Sequence, residues 1–241
     1  MTKISTGSFD LNAWLNGGYE KDIITMIAGP PGSGKTNFSI LASCSQSKNN
    51  KKVIFIDTEG GFSVDRVKQI VGENHEKILE NIFLLKPTNF EEQKQCFEKL
   101  LIAVKKEQIG LIVVDGMAML YRLELGDAVQ SKNDLDIKNI NREIANQMRV
   151  LAEISRKQEI PILITNQVYS GFVSEEDWKK GLKGEANIVG GDLFKYWSKC
   201  IIELKNESGK KKAILLKHRS IKQKEFSFEI RDEGIFKKGW I

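Results

Sequence analysis

Two kinds of hydrophobic pattern alternate along this chain. Runs of consecutive apolar residues, typical of strands buried in a parallel sheet, occupy 23–28, 53–57, 82–85, 111–115 and 160–165. Between several of them, apolar residues recur at intervals of three and four, as on a helix with one buried face. Strands that alternate with helices predict an α/β fold in which helices cover both faces of a mostly parallel sheet.

Besides a helix after residue 36, where Phe38, Ile40, Leu41 and Ala42 recur at helical spacings, this periodicity predicts three more helices. A short one lies around 64–71, and a second follows Thr88 and Asn89, which stand three residues ahead of Glu91 and Glu92 as in a capping box. The third runs from about 135 to 157. Its apolar stripe consists of Ile140, Ile144, Met148, Leu151 and Ile154.

The C-terminal third has a different texture. Residues 168–194 are rich in glycine and mixed charge without a sustained period, which predicts a long loop. Alternating patterns then predict strands near 199–205 and 213–217, joined by a hairpin turn at 206–210, and a last strand near 225–230 that ends the chain. No internal repeat or linker interrupts the pattern, so we expect a single domain over residues 1–241.

Residues 29–36 form a complete G-x4-G-K-[ST] phosphate-binding motif between a predicted strand and a predicted helix. Glycines let backbone N–H groups turn toward phosphate oxygens, and the helix N-terminus adds the positive end of its dipole. Lys35 supplies a charge for the β- and γ-phosphates, and the Thr36 hydroxyl is a Mg²⁺ ligand. The predicted nucleotide contacts are Gly29, Pro30, Pro31, Gly32, Ser33, Gly34, Lys35, Thr36 and Asn37. The motif predicts that the chain binds a nucleoside triphosphate.

Other predicted strands also end in polar residues, and in such sheets ligands bind beyond the carboxyl ends of the strands. Asp115 follows the most apolar run and is the predicted partner of Thr36 in holding Mg²⁺. Glu59 is a candidate base that orients the attacking water; the alternative is an acidic residue in an ordinary turn. Gln167 is a candidate sensor that links the γ-phosphate to the segment starting at Val168.

Composition narrows the class of protein. No apolar run in the 241 residues approaches the ~20 that span a bilayer, and the first residues lack an apolar signal core. The cysteines, Cys44, Cys96 and Cys200, are odd in number and far apart, which indicates reduced thiols. We expect a cytoplasmic protein without a membrane partner.

The net charge of +5 is unevenly distributed. Residues 179–241 hold 16 Lys and Arg against 8 Asp and Glu, whereas residues 1–178 hold 21 against 24. This asymmetry suggests a polyanion-binding surface toward the C-terminus. A solvated lysine-rich surface is the alternative.

Several motifs, in one order over nearly the whole chain, resemble the core of the RecA/RadA recombinases. They are Ile4–Gly7, Leu15–Tyr19, the phosphate-binding motif with Asn37, Ile56–Gly60, Leu111–Asp115 and Thr165–Val168. More narrowly, three segments resemble the archaeal RadB family, the short paralogues of RadA: Leu120–Glu124, Tyr196–Lys199 and Lys217–Ser220. The nucleotide motifs are shared by many ATPases, and these last three are more specific.

The resemblance implies a RecA-like P-loop core that binds ATP with Mg²⁺ and hydrolyses it weakly, with Lys35, Glu59 and Gln167 at the catalytic centre. It also implies DNA binding, with single strands favoured, and a helper role beside a RadA-type recombinase. RadA carries an N-terminal helix-hairpin-helix domain, which we expect this chain to lack because its core motifs begin almost at Met1. Two departures are Ile221–Lys224 in place of a proline-glycine turn, and Asp192 where a histidine is more usual.

From the same resemblance, residues 121–133 and 168–191 are expected to form two DNA-facing loops. Their phosphate contacts would be Arg122, Lys132, Lys179, Lys180 and Lys183, and their stacking residues Tyr169, Phe172 and Trp178. Glu175, Glu176 and Asp177 dilute the charge of the second loop. An alternative for Phe172 and Trp178 is to pin that loop to the core.

A lysine-arginine pair on a late strand of related ATPases reaches the γ-phosphate of a neighbouring subunit. Lys217 and Arg219 match this pair, so activity would depend on self-association of the chain. A DNA-backbone contact or a surface pair is the alternative. Arg66 is a further candidate, for stacking on adenine.

Two other classes of protein stay open at this point. A nucleotide-gated assembly module resembling the KaiC-like proteins would act on a protein partner rather than on DNA. An adaptor that binds ATP tightly and scarcely hydrolyses it would not depend on Glu59.

Overall fold

A computed structural model of the protein describes residues 3–170, 186–207 and 209–239, without the side chains of residues 170 and 186. The strands are β1 (Lys3–Ile4), β2 (Tyr19–Glu20), β3 (Ile24–Gly29), β4 (Lys52–Asp57), β5 (Ile82–Leu85), β6 (Ile109–Asp115), β7 (Ile162–Ser170), β8 (Ala186–Ile188), β9 (Ser198–Glu207), β10 (Lys210–Lys217), β11 (Glu225–Arg231) and β12 (Gly234–Lys237). The helices are α1 (Phe9–Trp14), α2 (Lys35–Lys48), α3 (Val64–Val71), α4 (His75–Leu79), α5 (Phe90–Lys106), α6 (Met119–Gln130), α7 (Asp134–Gln158) and α8 (Asp192–Trp197).

The main sheet has the strand order β12-β11-β10-β9-β3-β7-β6-β4-β5, with β8 paired to β7. The strands from β9 to β5 in this order run parallel. The strands β10, β11 and β12 add an antiparallel edge. The predicted fold class is therefore confirmed: a mostly parallel sheet flanked by helices, with C-terminal antiparallel strands.

Alternation along the strands divides the core between the two faces of the sheet. Ile24, Met26 and Ala28 of β3 belong to a cluster that includes buried residues of α5, α6 and α7. Ile27 belongs to a second cluster that includes α1 and α2. Each fully buried aliphatic side chain stabilises the fold by about 1.5–3 kcal/mol. Between these layers β3 is held centrally, with β7 and β9 as neighbours.

The predicted loop over 168–194 is wrong at both of its ends. The strand β7 continues to Ser170, β8 returns antiparallel to it, and α8 begins at Asp192. Backbone groups at the start of the segment form hydrogen bonds with the returning chain. For example, Val189 N–H donates to the Gln167 carbonyl oxygen at 3.0 Å. Residues 171–185, which carry most of the predicted second DNA-facing loop, lie outside the described part of the chain.

The first predicted DNA-facing loop, 121–133, is also largely wrong as a loop. Helix α6 extends to Gln130, leaving only 131–133 as the connection to α7. Leu120, Tyr121 and Ala128 are buried in the core that α7 shares, and Tyr121 Oη donates to Asn141 Oδ1 at 2.7 Å. Packing against α7 thus stabilises a helix that the apolar periodicity did not indicate.

The remaining differences are small. The strand β11 does not end the chain, since β12 pairs with it as a hairpin. Strand β9 ends at Glu207 and β10 begins at Lys210, so fewer residues separate the two strands than in the predicted hairpin turn at 206–210. No helix in the described ranges is both long and apolar enough to cross a membrane.

Candidate functional site

The phosphate-binding loop joins the buried strand β3 to helix α2. Gly34 caps α2 with φ 106° and Gly32 has φ 71°, backbone conformations that glycine adopts readily. Gly29 is required for space, because a Cβ atom there would lie 2.7 Å from Ser33 Oγ and 2.9 Å from the Leu204 carbonyl oxygen. The loop is therefore tightly closed around the free N–H groups at the start of α2.

Lys35 reaches back across this loop. Its ammonium donates to the carbonyl oxygens of Gly29 and Pro30 at 2.9 and 3.2 Å. Burial lowers the pKa of Lys35, and the carboxylates of Glu59 and Asp115 oppose that shift. The charge thus lies in a partly dry environment, where its attraction to phosphate is stronger than in water.

Asp115, at the carboxyl end of β6, is the centre of the polar network. Thr36 Oγ1 donates to its Oδ2 at 2.7 Å and Thr165 Oγ1 to its Oδ1 at 2.6 Å. Burial raises the pKa of Asp115 to about 6, against the two hydroxyl hydrogen bonds, which lower it. Both carboxylate oxygens are thereby oriented from neighbouring strands and helices.

These residues fit Mg²⁺ together with a nucleotide. Mg²⁺ prefers oxygen ligands and is usually held by one or two carboxylates plus substrate phosphates. A Cβ atom at Gly61 would lie 3.1 Å from Thr36 Oγ1 and 3.5 Å from Asp115 Oδ2, so a glycine there keeps the space beside both oxygens open. The buried Ser33 Oγ has no hydrogen-bond partner among the described residues, as expected of a group that awaits a ligand. Elsewhere in the described ranges, no cluster of three or more His, Cys, Asp or Glu could hold a metal ion.

Glu59 and Gln167 meet at the mouth of the site. Gln167 Nε2 donates to Glu59 Oε1 at 3.2 Å, and Gln167 pairs with Gly29 across the β3–β7 ladder. Thr58 Oγ1 approaches the carbonyl oxygens of Asp115 and Gly116 at 3.0 and 2.9 Å, which fixes the chain just before Glu59. The structure thus brings the four predicted residues Thr36, Glu59, Asp115 and Gln167 to one edge of the sheet.

Arg66 links three elements beside the loop. Its Nε donates to Asn37 Oδ1 at 2.7 Å, and its terminal nitrogens donate to the carbonyl oxygens of Arg231 and Asp232 at 2.9 and 3.0 Å. The guanidinium therefore connects α3 to α2 and to the turn between β11 and β12. It lies next to Asn37, one of the predicted nucleotide contacts.

Lys217 and Arg219 lie toward the opposite edge of the sheet. Because β10 runs antiparallel, Lys217 pairs with Ile201 near the start of β9. Arg219 forms a two-pronged hydrogen bond with the Asp22 carboxylate at 2.6 and 2.7 Å, and its Nε lies 2.8 Å from Glu20 Oε2. The pair lines a cavity of about 540 Å³, together with Arg156, Lys199 and the aromatic rings of Tyr196 and Trp197. The structure does not bring this pair to the chain's own phosphate loop.

The predicted DNA-contacting residues are only partly described. Arg122 is exposed on α6, and Lys132 is exposed in the connection that follows it. Tyr169, at the end of β7, is half exposed. Lys179, Lys180 and Lys183, with Phe172 and Trp178, lie outside the described residues.

One contact at the phosphate loop was missed from the sequence. Lys211 Nζ donates to the Gly32 carbonyl oxygen at 2.7 Å, across 179 residues of chain. The run Lys210–Lys212 is visible in the sequence, but only the register of β10 selects which of the three reaches the loop.

Comparison with known proteins places this geometry in a family. The profile of the Rad51 family matches residues 1–238. The "DNA repair and recombination protein RadB" of Methanobrevibacter smithii is 39% identical over 238 residues, covering 97% of this chain and 95% of that protein. RadB of Methanococcus maripaludis strain C7 is 42% identical over 226 residues, covering 93% and 96%.

A solved structure agrees with the sequence relatives. The "Crystal structure of the RadB recombinase" superimposes with a TM-score of 0.72 at 30% identity, covering 96% of this chain and 98% of that one. The chain belongs to the Rad51 family. Within that family, the chain covers 95% and 96% of the length of these two RadB proteins. The resemblance inferred from the motifs is confirmed, and the KaiC-like alternative is not favoured.

Proposed function

We propose that this chain is an ATP-binding DNA repair and recombination protein that binds DNA and assists or regulates a RadA-type recombinase. In this proposal it hydrolyses ATP weakly, favours single-stranded DNA, and folds residues 1–241 as a single RecA-like domain. Members of the Rad51/RecA family are ATPases. The observation that carries the proposal is the hydrogen-bonded pair Glu59–Gln167, which lies between the phosphate loop and the start of the predicted DNA-facing segment.

The residues of the site have distinct roles in this proposal. Lys35 and the backbone N–H groups of residues 32–36 bind the phosphates, exchanging the Gly29 and Pro30 carbonyl contacts of Lys35 for phosphate oxygens. Thr36 and Asp115 would hold Mg²⁺, which supplies charge neutralisation at the β- and γ-phosphates. Glu59 orients the attacking water and accepts its proton.

Gln167 would connect the nucleotide to DNA. An uncharged amide donates to Glu59 in the described structure and is free to donate to a phosphate oxygen once one is near. The strand β7 continues only three residues beyond Gln167, to Ser170, so a change in the position of this side chain acts at the very start of residues 171–185. Those residues contain the lysines proposed to bind DNA phosphates.

The other exposed cations would extend the DNA surface. Arg122 on α6 and Lys132 after it are solvent-facing, and residues 179–241 carry a twofold excess of basic over acidic side chains. Neutralising phosphates releases counterions, so binding through such contacts weakens steeply with salt.

The test is fluorescence anisotropy with a labelled single-stranded oligonucleotide, with and without Mg-ATP, across a salt series. We expect salt-sensitive binding that changes with nucleotide. Replacing Lys179, Lys180 and Lys183 together by alanine should weaken binding and flatten the salt slope, whereas replacing the exposed Lys99, Lys105 and Lys106 of α5 together by alanine serves as a charge-matched control.

Absence of DNA binding at low salt in every nucleotide state would remove the DNA role and favour action on a protein partner. Unchanged affinity of the triple-lysine variant would remove the assignment of these lysines alone. Pull-down of a RadA-type recombinase by the purified chain tests the helper role separately.

A further inference from the structure

The strands β9, β10 and β11 support the phosphate loop from its outer side. The carbonyl oxygen of Leu204 on β9 would lie 2.9 Å from a Cβ atom at Gly29, and Ile230 Cδ1 on β11 would lie 2.7 Å from one at Gly34. The ammonium of Lys211 on β10 contacts Gly32. Each of the three glycines of the loop therefore faces a different C-terminal strand.

Lys211 is the polar member of this support. Pro31 and Gly32 form the exposed outer part of the loop, and a Cβ atom at Gly32 would have no atom within 4 Å. Packing therefore does not hold Gly32 in place. The hydrogen bond from Lys211 Nζ to the Gly32 carbonyl oxygen, at 2.7 Å, holds it from one side, and the turn in which Ser33 N–H donates to the Pro30 carbonyl oxygen at 3.2 Å closes the loop from the other.

We propose that Lys211 is a positioning residue of the nucleotide site. It fixes the outer part of the phosphate loop and thereby raises the affinity of the site for nucleoside triphosphates. This inference rests on the proposed ATP binding. Lys35 holds the Gly29 and Pro30 carbonyl oxygens from inside the loop, and Lys211 holds the Gly32 carbonyl oxygen from outside. Because Pro30 and Pro31 have no N–H, only the peptide group between Gly32 and Ser33 among these three carries a donor, and the Lys211 contact fixes the orientation of that peptide group.

Two physical effects act in the same direction. An anchored loop loses less conformational entropy on binding than a free one, so preorganisation increases affinity. The Lys211 ammonium also adds a positive charge at the loop and keeps two N–H donors beyond the one that contacts Gly32. Both effects require the ammonium rather than the aliphatic stem.

The neighbouring lysines supply matched controls. Successive side chains of a strand point to opposite faces, so Lys210 and Lys212 flank Lys211 in sequence while facing away from the side it uses. Lys212 Nζ lies 3.5 Å from Glu225 Oε2 on the adjacent strand. The variants Lys210→Met and Lys212→Met therefore remove the same charge from the same strand without removing the loop contact.

The experiment measures the dissociation constant of fluorescently labelled ATP for the full chain and for Lys211→Met, Lys211→Arg, Lys210→Met and Lys212→Met. A charge-assisted hydrogen bond has a strength that corresponds to about tenfold in affinity. We expect Lys211→Met to weaken ATP binding ~10-fold, Lys211→Arg to restore most of it, and both control variants to bind as the parent does. The defect should shrink as salt is added, because an accessible charge is screened.

Equal affinity of Lys211→Met and the parent, or an equal loss in Lys212→Met, would overturn the inference. Should Lys211→Met fail to fold, Lys211→Gln takes its place, with melting temperatures compared throughout. The variant Lys35→Met separates the two proposals. If the parent chain itself does not bind ATP, the proposed function fails. If the parent binds ATP and only Lys35→Met abolishes binding, the proposed function stands and the role of Lys211 is removed.

Discussion

At the scale of single residues, the site depends on carboxylates whose environments differ. Asp115 is almost fully buried and receives two hydroxyl hydrogen bonds, whereas Glu59 is exposed at the end of the neighbouring strand. A buried carboxylate whose oxygens are fixed by hydroxyl groups is suited to binding a ligand that stays in one position. An exposed one, which accepts a hydrogen bond from the Gln167 amide, is free to reach water.

Replacing Glu59 by glutamine separates binding from hydrolysis. The change preserves size and leaves an oxygen that accepts the Gln167 amide, but it removes the base. We expect the rate of ATP hydrolysis to fall about 100-fold, the lower end for loss of a general base, with ATP affinity within twofold of the parent. Steady-state phosphate release and equilibrium ATP binding measure the two quantities. Unchanged hydrolysis would instead favour an adaptor that does not use Glu59 as a base.

His218 links stability to pH. Its side chain is 2% exposed, and Nδ1 accepts hydrogen bonds from the N–H groups of Ser220 and Ile221 at 3.1 and 3.2 Å. Burial lowers the pKa of His218, and the positive charges of Lys3, Arg219 and Lys224 lower it further, whereas Glu20 raises it. The folded protein therefore favours the neutral ring.

The sign of the pH effect follows from linkage. Below pH ~6.5 the unfolded chain binds a proton at His218 more readily than the folded chain does. The contribution is thus fully present above pH 6.5 and is lost as the pH falls toward the lowered pKa. We expect urea titrations to give a shallower decrease in unfolding free energy between pH 6.5 and 5 for His218→Gln than for the parent. His75→Gln, at the first residue of α4, provides the control, and a parental pH dependence in His218→Gln would contradict the assignment.

At the scale of elements, short-range geometry determines how α8 packs. Gly190 and Gly191 precede this helix, both with positive φ, at 75° and 59°. A Cβ atom at Gly190 would lie 2.2 Å from Cε2 of Phe194, whereas one at Gly191 meets no atom within 4 Å. Phe194 is fully buried, so its ring cannot move away without disturbing the core.

This difference predicts the relative cost of two alanine substitutions. Gly190→Ala and Gly191→Ala both introduce backbone strain at positive φ, but only the first also overpacks the core. We expect Gly190→Ala to lower the unfolding free energy by about 1–3 kcal/mol more than Gly191→Ala does. Chemical denaturation of both variants checks this. Equal costs would mean that Phe194 yields without penalty.

At the scale of the whole molecule, the two sets of candidate nucleotide residues lie toward opposite edges of one sheet. Thr36, Asp115 and Gln167 lie at the carboxyl edge, while Arg219 meets Asp22 just before the amino end of β3. A single chain therefore cannot bring Arg219 to its own phosphate loop without large rearrangement. Direct contact between this residue and a γ-phosphate therefore requires a second copy of the chain.

The proposed trans role predicts a dependence on protein concentration. We expect Arg219→Ala to lower hydrolysis per chain at concentrations where subunits associate and to leave it unchanged where they do not. Lys222→Ala, an exposed neighbour, is the control. Since Arg219→Ala leaves Glu20 buried without its partner, melting temperatures are measured in parallel. An equal effect at all concentrations would show that the arginine acts within its own chain.

Features that depend on residues close together in the chain could be predicted from the amino-acid sequence. Apolar runs located five of the six parallel strands, the caps located the start of α5, and the phosphate-binding motif located the loop with Lys35 and Thr36. The pairing of Thr36 with Asp115 also followed from it, because the ends of parallel strands share an edge. These signals lie within a few residues, where steric and hydrogen-bonding preferences act directly.

Features that depend on partners distant in the chain could be seen only in the folded protein. The segment 119–130 is helical because α7 covers its buried side, and β12 is a strand because β11 lies beside it. The Asp22 carboxylate that holds Arg219 and the Gly32 carbonyl oxygen that holds Lys211 are 197 and 179 residues away along the chain. A sequence pattern reports the local preference of a segment, whereas the free energy of such contacts exists only once the sheet has brought its two ends together.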